Sequence, residues 1–170
     1  MKSQAISKIN DFPLIEFLQP MYNLVKRQVE VEILPMAISE KLNVISYSPL
    51  GGGLLTGKYS QKVIKKDNII GRLDHDGKYK KRYGQEWMKD VSENFIKLSD
   101  SLNYNPISLA IAWVSYHEGI TSPIISARNL EQLQPCLDSL NIELTDIVYQ
   151  KINDITRTPP PATDRIEEVN

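Results

Sequence analysis

Short apolar runs alternate with stretches of helical periodicity along this chain of 170 residues. The apolar runs cover residues 15–19, 44–47 and 122–126. Each run is too short for a helix, and Pro13 and Pro20 bound the first of them, which is typical of buried strands. The pattern therefore predicts three strands separated by helical segments.

Apolar residues recur every three or four positions in the other segments, as expected for amphipathic helices. A ragged helix is expected within residues 1–14, and Pro35 fits its helix only in the first turn. Asn105 and Asn129 are predicted N-caps, and Gly119 is a predicted C-terminal stop. The predicted helices cover residues 33–42, 86–102, 106–118, 129–137 and 144–155.

Two segments show neither period. Residues 22–27 are predicted to form a polar–apolar loop, and residues 61–82 are rich in turn-forming residues around His75, Asp76 and Gly77. An irregular stretch as long as the second one is either functional or disordered. Strands that alternate with helices favour an α/β fold with a parallel sheet covered on both faces. Three strands are too few to close such a sheet.

The most informative segment is a glycine-rich stretch after the second predicted strand, residues 47–58, with the sequence YSPLGGGLLTGK. Glycines let the backbone approach a ligand without side-chain obstruction, and successive free N–H groups form a concavity suited to phosphate. Lys58 adds a positive charge, and Tyr47 offers a flat face to a planar ring. The alternative that the local pattern leaves open is a glycine-rich turn that binds no ligand.

Composition narrows the class of partner. The net charge of -1 gives no electrostatic reason to expect nucleic acid or an anionic membrane. The single cysteine, Cys136, excludes an internal disulfide, fits a reducing compartment and is interpreted as a quiet packed or surface thiol. With neither a signal-peptide pattern nor an apolar run of membrane-spanning length, we predict a cytoplasmic location.

Four segments together resemble the aldo-keto reductases, NADP(H)-dependent oxidoreductases built on a (β/α)8 TIM barrel. They are residues 19–27 (QPMYNLVKR), 46–59, 110–113 (AIAW) and 123–133 (PIISARNLEQL), in the family's order. The branch resembled most includes bacterial general oxidoreductases and potassium-channel β-subunits. The resemblance implies that residues 1–158 form a partial barrel, namely strands six to eight with their helices, followed by an irregular tail at residues 159–170.

The resemblance also implies roles around the nicotinamide and the diphosphate. Gln19 would hold the nicotinamide carboxamide, and Tyr47 would stack against its ring. Lys58 would lie near the phosphates, and Arg72 would clamp the cofactor from above. The channel for the pyrophosphate would be lined by Ser48, Pro49, Leu50, Gly51 and Gly52.

At the adenosine end, the resemblance implies that Ser126 and Arg128 meet the 2′-phosphate and that Gln132 touches the adenine. A guanidinium beside Asn129, a predicted helix N-cap, suits a phosphate because the first N–H groups of the helix add to its charge. The alternative for Arg128 is an exposed arginine at a helix start.

The chain departs from the family's pattern at three positions. Ser126 stands where the family usually has glycine. Pro135 and Cys136 stand where a glutamate and an asparagine often contact the adenine amino group, so adenine recognition is expected to be weaker.

The family's catalytic aspartate, tyrosine, lysine and histidine come from earlier strands, for which we find no counterpart in these residues. The Ser-Asn pair expected before Gln19 is missing too, and neither His75 nor His117 matches the catalytic histidine. We therefore predict no catalytic residue and no metal ligand within this chain.

The sequence supports three functional hypotheses. The first is an aldo-keto reductase-like enzyme of carbonyl/alcohol interconversion, here a truncated form that keeps the NADP(H) half and lacks the catalytic tetrad. The second is a non-catalytic nucleotide-binding or protein-interaction module derived from that family, and the third is a remnant without function. An open half-barrel exposes strand edges, so a second copy or an N-terminal half-barrel is an expected partner.

Overall fold

The computed structural model describes residues 2–59, 73 and 76–160, and within them three short strands form one parallel sheet. Phe17 pairs with Asn43, and Ile45 pairs with Ser122, so β2 lies between its two neighbours. The predicted parallel sheet is confirmed for the described residues. The strands are β1 (Phe17–Leu18), β2 (Asn43–Ser46) and β3 (Ser122–Pro123).

β1 and β3 are shorter than the apolar runs that predicted them, whereas β2 has the predicted length of four residues and begins one residue earlier. Pro20 has no backbone N–H, so it cannot continue the β1 ladder as a donor. Pairing resumes beyond it, because the Tyr47 N–H donates to the Pro20 carbonyl at 3.0 Å and Met21 forms a parallel bridge with Tyr47. The edge of the sheet at this end is therefore built from loop backbone.

Seven α-helices occur in the described residues. Six of them lie close to predicted helices, most with shorter ends, and one helix was not predicted. The 3-10 turns are Gln28–Glu30, Gly51–Thr56 and Ser139–Asn141. The helices are α1 (Lys2–Ile9), α2 (Ile33–Glu40), α3 (Gly77–Tyr83), α4 (Glu86–Ser101), α5 (Pro106–Tyr116), α6 (Leu130–Asp138) and α7 (Asp146–Asn153).

The two predicted N-terminal helix caps are present, whereas the predicted C-terminal stop is not. The side chains of Asn105 and Asn129 each accept a hydrogen bond of 2.9 Å from a first-turn N–H group, as predicted. The prediction that Gly119 stops α5 is wrong. The helix ends at Tyr116, followed by His117 in extended backbone, and the His117 Nδ1 accepts from the Gly119 N–H at 3.0 Å.

Helix α3 lies inside the stretch that was predicted to lack regular structure, so that prediction is wrong for its last part. The Asp76 side chain caps the helix by accepting from the Lys78 N–H at 2.8 Å. The helix has few apolar positions, but Tyr83 is completely buried. Residue 72 and residues 161–170, most of the predicted tail, lie outside the described residues.

The core is centred on α5, where Leu109, Trp113 and Val114 are at most 1% exposed. Residues 22–27 form a loop, as predicted, but the loop is interior and not a surface connection. Tyr22 and Leu24 pack in the same hydrophobic cluster as α5. The loop after β1 is therefore anchored in the core.

Among the exposed large apolar side chains of the described residues, we name two sets, the β1-side surface and the β3-side surface. Helix α1 buries none of its residues. The β1-side surface comprises Ile6, Ile9, Phe12, Leu14, Ile15 and Phe17. The β3-side surface comprises Ile124, Leu130, Leu137, Leu140 and Ile147. The first set lies before β1 and at its start, and the second set lies between β3 and the start of α7. In the described part of the chain, every helix is too short or too polar to cross a membrane.

Candidate functional site

The predicted site residues follow the carboxyl ends of the three strands. Gln19 comes directly after β1, Tyr47 directly after β2, and Ser126 shortly after β3. Parallel strands place these ends at one edge of the sheet, which is where barrel enzymes bind ligands. The Ile124 N–H donates to the Ser46 carbonyl at 2.7 Å and joins the second and third segments there. The structure therefore brings the three predicted segments to one edge.

Tyr47 projects from a backbone held on both sides by the loop after β1. Its N–H donates to the Pro20 carbonyl at 3.0 Å, and its carbonyl accepts from the Tyr22 N–H at 3.2 Å. Gln19 is exposed and Tyr47 is half-buried. An exposed carboxamide and an aromatic side chain that follow neighbouring strand ends suit a planar amide-bearing ligand, and their assigned roles stay predictions.

The glycine-rich segment forms a tight left-handed turn. Gly51, Gly52, Gly53 and Gly57 have φ angles of 57°, 66°, 94° and 82°. Glycine adopts such positive φ angles without the steric cost that a Cβ brings. Ser48 has a φ of 60° although it is not glycine, so its conformation must be held by its neighbours.

The turn uses part of its own hydrogen-bonding capacity. The Gly51 N–H donates to the Ser48 carbonyl at 3.0 Å, and the Gly53 N–H donates to the Leu50 carbonyl at 3.0 Å. The expectation that the N–H groups of the loop are free for a phosphate is therefore wrong at Gly51 and Gly53. A compact turn satisfies its own donors because unpaired buried N–H groups are costly.

Side chains also lie against the glycines. A Cβ on Gly52 would be 2.8 Å from the Tyr79 Cδ1 and 3.1 Å from the Tyr83 Cδ2, so the tyrosines of α3 cover that side. The expectation of an unobstructed backbone is wrong there. A Cβ on Gly53 would be 2.7 Å from the Lys58 Nζ, which places the ammonium group against the turn.

Asn23 joins the loop after β1 to this turn. Its side-chain Nδ2 donates to the Ser48 carbonyl at 2.9 Å, and its Oδ1 accepts from the Val25 N–H at 3.1 Å. The Nδ2 also lies 3.4 Å from the Tyr83 hydroxyl. Sequence reasoning missed Asn23; its position three residues after Pro20, in a loop that follows a strand end, was the available signal.

At the adenosine end, Ser126, Arg128 and Gln132 are exposed near the start of α6. The Arg128 N–H donates to the Gln132 Oε1 at 3.2 Å, and Asn129 caps the helix. The cationic side chain thus leaves from a backbone fixed at a helix N-terminus. This arrangement suits an anion because the helix dipole adds to the charge of the guanidinium.

Pro135 and Cys136, which replace the family's adenine-contacting residues, face the protein. The Ser108 hydroxyl of α5 donates to the Pro135 carbonyl at 2.6 Å. Cys136 is 3% exposed, and burial raises the pKa of its thiol, so it is the packed, quiet thiol that the sequence predicted. These residues join α6 to α5.

A buried charged cluster lies behind the loop after β1. Arg27 makes a two-point ion pair with Glu30, and the Tyr22 hydroxyl donates to the Glu30 Oε1 at 2.7 Å. Burial, together with the Glu30 carboxylate, raises the pKa of Tyr22, which stays protonated. The Arg27 guanidinium also lies 5.6 Å from the centre of the Trp113 ring. The cluster holds the loop that carries the candidate site.

Arg72 lies outside the described residues, so its predicted role stays a prediction, and His75, to which no role was assigned, lies outside them too. Among residues 2–59, 73 and 76–160, His, Cys, Asp and Glu side chains form no group of three or more that could hold a metal ion.

The chain is similar to known proteins both in sequence and in structure. The model of the Aldo/keto reductase family matches residues 3–157. The chain is 31% identical over 159 residues to the uncharacterized oxidoreductase YrpG of Bacillus subtilis, covering 94% of this chain and 46% of YrpG. It is 29% identical over 151 residues to a probable voltage-gated potassium channel subunit beta of Arabidopsis thaliana, covering 87% of this chain and 45% of that protein.

Among solved structures, the glycerol dehydrogenase AKR11B4 of Gluconobacter oxydans superposes with a TM-score of 0.68 at 25% identity. The match covers 88% of this chain and 45% of that enzyme. The chain thus spans about half the length of the curated relatives that it matches.

Proposed function

Because the chain belongs to the aldo/keto reductase family, we propose that it forms the cofactor-binding half of an NADP(H)-dependent oxidoreductase acting on carbonyl and alcohol groups. One observation carries the proposal: the segments after β1, β2 and β3 meet at one edge of a parallel sheet. Each segment offers a group suited to a different part of a dinucleotide.

The donor set fits the two ends of the cofactor. The Gln19 carboxamide would pair with the nicotinamide carboxamide, and the Tyr47 ring would stack on the nicotinamide. Arg128 and Ser126 would bind the 2′-phosphate, where the start of α6 adds favourable dipoles. Gln132 would contact the adenine. These roles distinguish NADP(H) from NAD(H), since only the former carries the 2′-phosphate.

The diphosphate would be met mainly by side chains. The amides of Gly51 and Gly53 already have partners within the turn. We therefore assign the diphosphate contacts to the Lys58 ammonium, which lies against Gly53, and to the Ser48 hydroxyl. Pro49, Leu50 and Gly52 would shape the channel. Arg72, which lies outside the described residues, would clamp the cofactor.

The bound cofactor supplies a hydride, and this chain orients its nicotinamide through Gln19 and Tyr47. We assign the proton donor for the carbonyl oxygen to the remaining strand–helix units of an eight-stranded barrel. In this proposal residues 1–158 are the later part of that barrel, in a truncated form, and residues 159–170 are a tail.

Barrel completion also explains the two apolar surfaces. Exposed strand edges and large apolar patches are typical of interaction surfaces. The described residues contribute three strands, so those of two copies would bring only six of the eight strands that a barrel of this kind needs. We therefore favour an N-terminal half-barrel over a homodimer as the partner.

The single cysteine supports a cytoplasmic location.

A second candidate function is a non-catalytic nucleotide-binding or protein-interaction module. The similarity to proteins named as potassium-channel β-subunits from Arabidopsis thaliana and Oryza sativa supports this candidate. A nucleotide-binding module would use the same cofactor site and differ from the first candidate only in turnover, whereas a protein-interaction module would contact a protein without turnover.

The experiment is a titration of the purified chain with NADPH, followed by cofactor fluorescence. Saturable binding is expected, and its absence would contradict both the enzyme and the nucleotide-binding module. An aldehyde is then added and NADPH absorbance is followed, with and without the part of YrpG that lies outside the matched region. Turnover only in the mixture supports the split enzyme, whereas turnover by the chain alone would refute the assignment of the proton donor.

A further inference from the structure

We propose that Asn23 is a positioning residue, which fixes the Ser48–Gly51 backbone for diphosphate binding and, through Tyr83, ties α3 to it. The inference rests on the proposed dinucleotide site and deepens it. Asn23 is not assigned a ligand contact. It acts through the peptide group that follows β2.

The first step is the complete use of the Asn23 side chain. The residue is fully buried, and a buried amide is stable only when its donors and acceptors are paired. Its Oδ1 accepts from the Val25 N–H, and its Nδ2 donates to the Ser48 carbonyl, 25 residues further along the chain. The amide thus joins the loop after β1 to the loop after β2.

The second step is the conformation of Ser48. With a φ of 60°, Ser48 occupies the left-handed region that residues with a Cβ rarely adopt. Its carbonyl accepts two hydrogen bonds, from the Gly51 N–H and from the Asn23 Nδ2. The next residue, Pro49, has a fixed φ. The bond from Asn23 therefore sets the peptide plane from which the turn begins.

The third step is the link to α3. The Tyr83 hydroxyl donates to the Met21 Sδ at 3.2 Å and lies 3.4 Å from the Asn23 Nδ2. The same ring covers Gly52, with its Cδ2 3.1 Å from the position of an added Cβ. Helix α3, the loop after β1 and the glycine turn therefore meet at Asn23, so a change at either partner is transmitted to the turn.

The test compares two probes that differ in the group concerned. NADPH contains the diphosphate, whereas adenosine 2′,5′-bisphosphate contains the 2′-phosphate and the adenosine but no diphosphate. We expect Asn23→Leu to raise the Kd for NADPH about tenfold, in line with the loss of a buried hydrogen bond. Binding of adenosine 2′,5′-bisphosphate, at Arg128, should stay within about twofold.

Tyr83→Phe is the milder variant, because it removes only the hydroxyl and keeps the ring on Gly52. We expect a rise of about threefold in the Kd for NADPH. Tyr104→Phe, a tyrosine that packs at the edge of the core, is the matched control and should bind both probes as the wild type does. Circular dichroism checks that each variant folds. If Asn23→Leu does not fold, the NADPH affinity of Tyr83→Phe tests the positioning role.

The possible outcomes distinguish a failure of the proposed function from a failure of the positioning role of Asn23. Wild-type protein that binds neither probe overturns the proposed function and this inference with it. If the wild type binds NADPH and both variants bind it equally well, the positioning role is wrong and the proposed function stands. Equal weakening of both probes would show that Asn23 matters only for general stability, which also overturns the inference.

Discussion

Arg27 and Glu30 form a two-point ion pair in the interior of the protein, with the Arg27 Nε and Nη2 each 2.8 Å from a different carboxylate oxygen. Arg27 is 8% exposed and the Glu30 side chain 16%. Burial by itself lowers the pKa of Arg27, but the hydrogen bonds to Glu30 and the charge of its carboxylate, together with Tyr22 and Tyr149, outweigh it and the net shift is upward. The pair ties the two ends of one turn behind the candidate site.

We expect Glu30→Ala to lower the free energy of unfolding by about 3–5 kcal/mol, because it leaves the guanidinium buried without its counter-charge. Urea denaturation monitored by circular dichroism measures this. Glu143→Ala, at an exposed position, is the control and should change stability by less than about 0.5 kcal/mol.

The double variant Arg27→Leu/Glu30→Leu should recover part of the loss, since an apolar pair replaces a buried ion pair with little penalty. A double variant that is less stable than Glu30→Ala would contradict this account of the single one.

Protonation of His117 should reduce stability. Burial, and to a smaller extent Arg27, lowers the pKa of His117, while Glu30 and Glu118 act in the opposite direction. The neutral ring accepts from the Gly119 N–H through Nδ1, and this bond requires an unprotonated nitrogen. Because the unfolded chain binds the proton more tightly, the contribution is complete above about pH 6.5 and is lost as the pH falls below it.

The measurement is the urea midpoint at about pH 7.5 and about pH 5.5. His117→Gln should show a smaller decrease between these values than the wild type. His75→Gln, which removes the other histidine of the chain, is the control and should retain the wild-type decrease. Equal pH dependence in His117→Gln and the wild type would refute the assignment.

Gly52→Ala should destabilise the turn for two separable reasons. An alanine at a φ of 66° costs about 1–2 kcal/mol in backbone strain. Its Cβ would also meet the Tyr79 Cδ1 at 2.8 Å. Tyr79→Ala should relieve the second cost only, so a double-mutant cycle measured by urea denaturation should show coupling.

Gly77→Ala is the control for that cycle, since an added Cβ there meets nothing within 4 Å. It should be close to neutral. If Gly52→Ala were also neutral, the close approach of α3 to the glycine turn would be wrong.

Arg128→Ala should weaken NADPH more than NADH, because only NADPH carries the 2′-phosphate. The lost charge-assisted contact predicts a rise of roughly tenfold or more in the Kd for NADPH. Fluorescence titration with both cofactors measures the two constants. Arg157→Ala, another exposed arginine, serves as control. Equal weakening of both cofactors by Arg128→Ala would show that the side chain does not bind the 2′-phosphate.

The sequence predicted the order of elements well because the strands and helices carry local signals. Asn105 and Asn129 are adjacent to the helices they cap, and the apolar face of α5 repeats within a few residues. The C-terminal end of α5 was mispredicted because His117, a side chain without a strong capping preference, takes over the Gly119 N–H. Local pattern cannot rank such competing contacts.

The candidate site was predicted in its segments but not in its internal contacts. Glycines at positions 51–53 signalled positive φ angles, and the structure has them. Two of the three side-chain partners of Asn23, by contrast, are residues 25 and 60 positions away in sequence, which no short motif contains. Helix α3 was missed because its outward side chains are mostly lysines and give no amphipathic period.

The central place of β2 has a consequence for how the chain acquires its structure. The Val44 N–H donates to the Thr121 hydroxyl, 77 residues further along, whereas the contacts of β2 with β1 are far more local. Long-range pairing slows folding because the intervening chain must be closed into a loop first. During synthesis, the first two strands can associate while most of α5 is still unmade, and the third strand is the last to join.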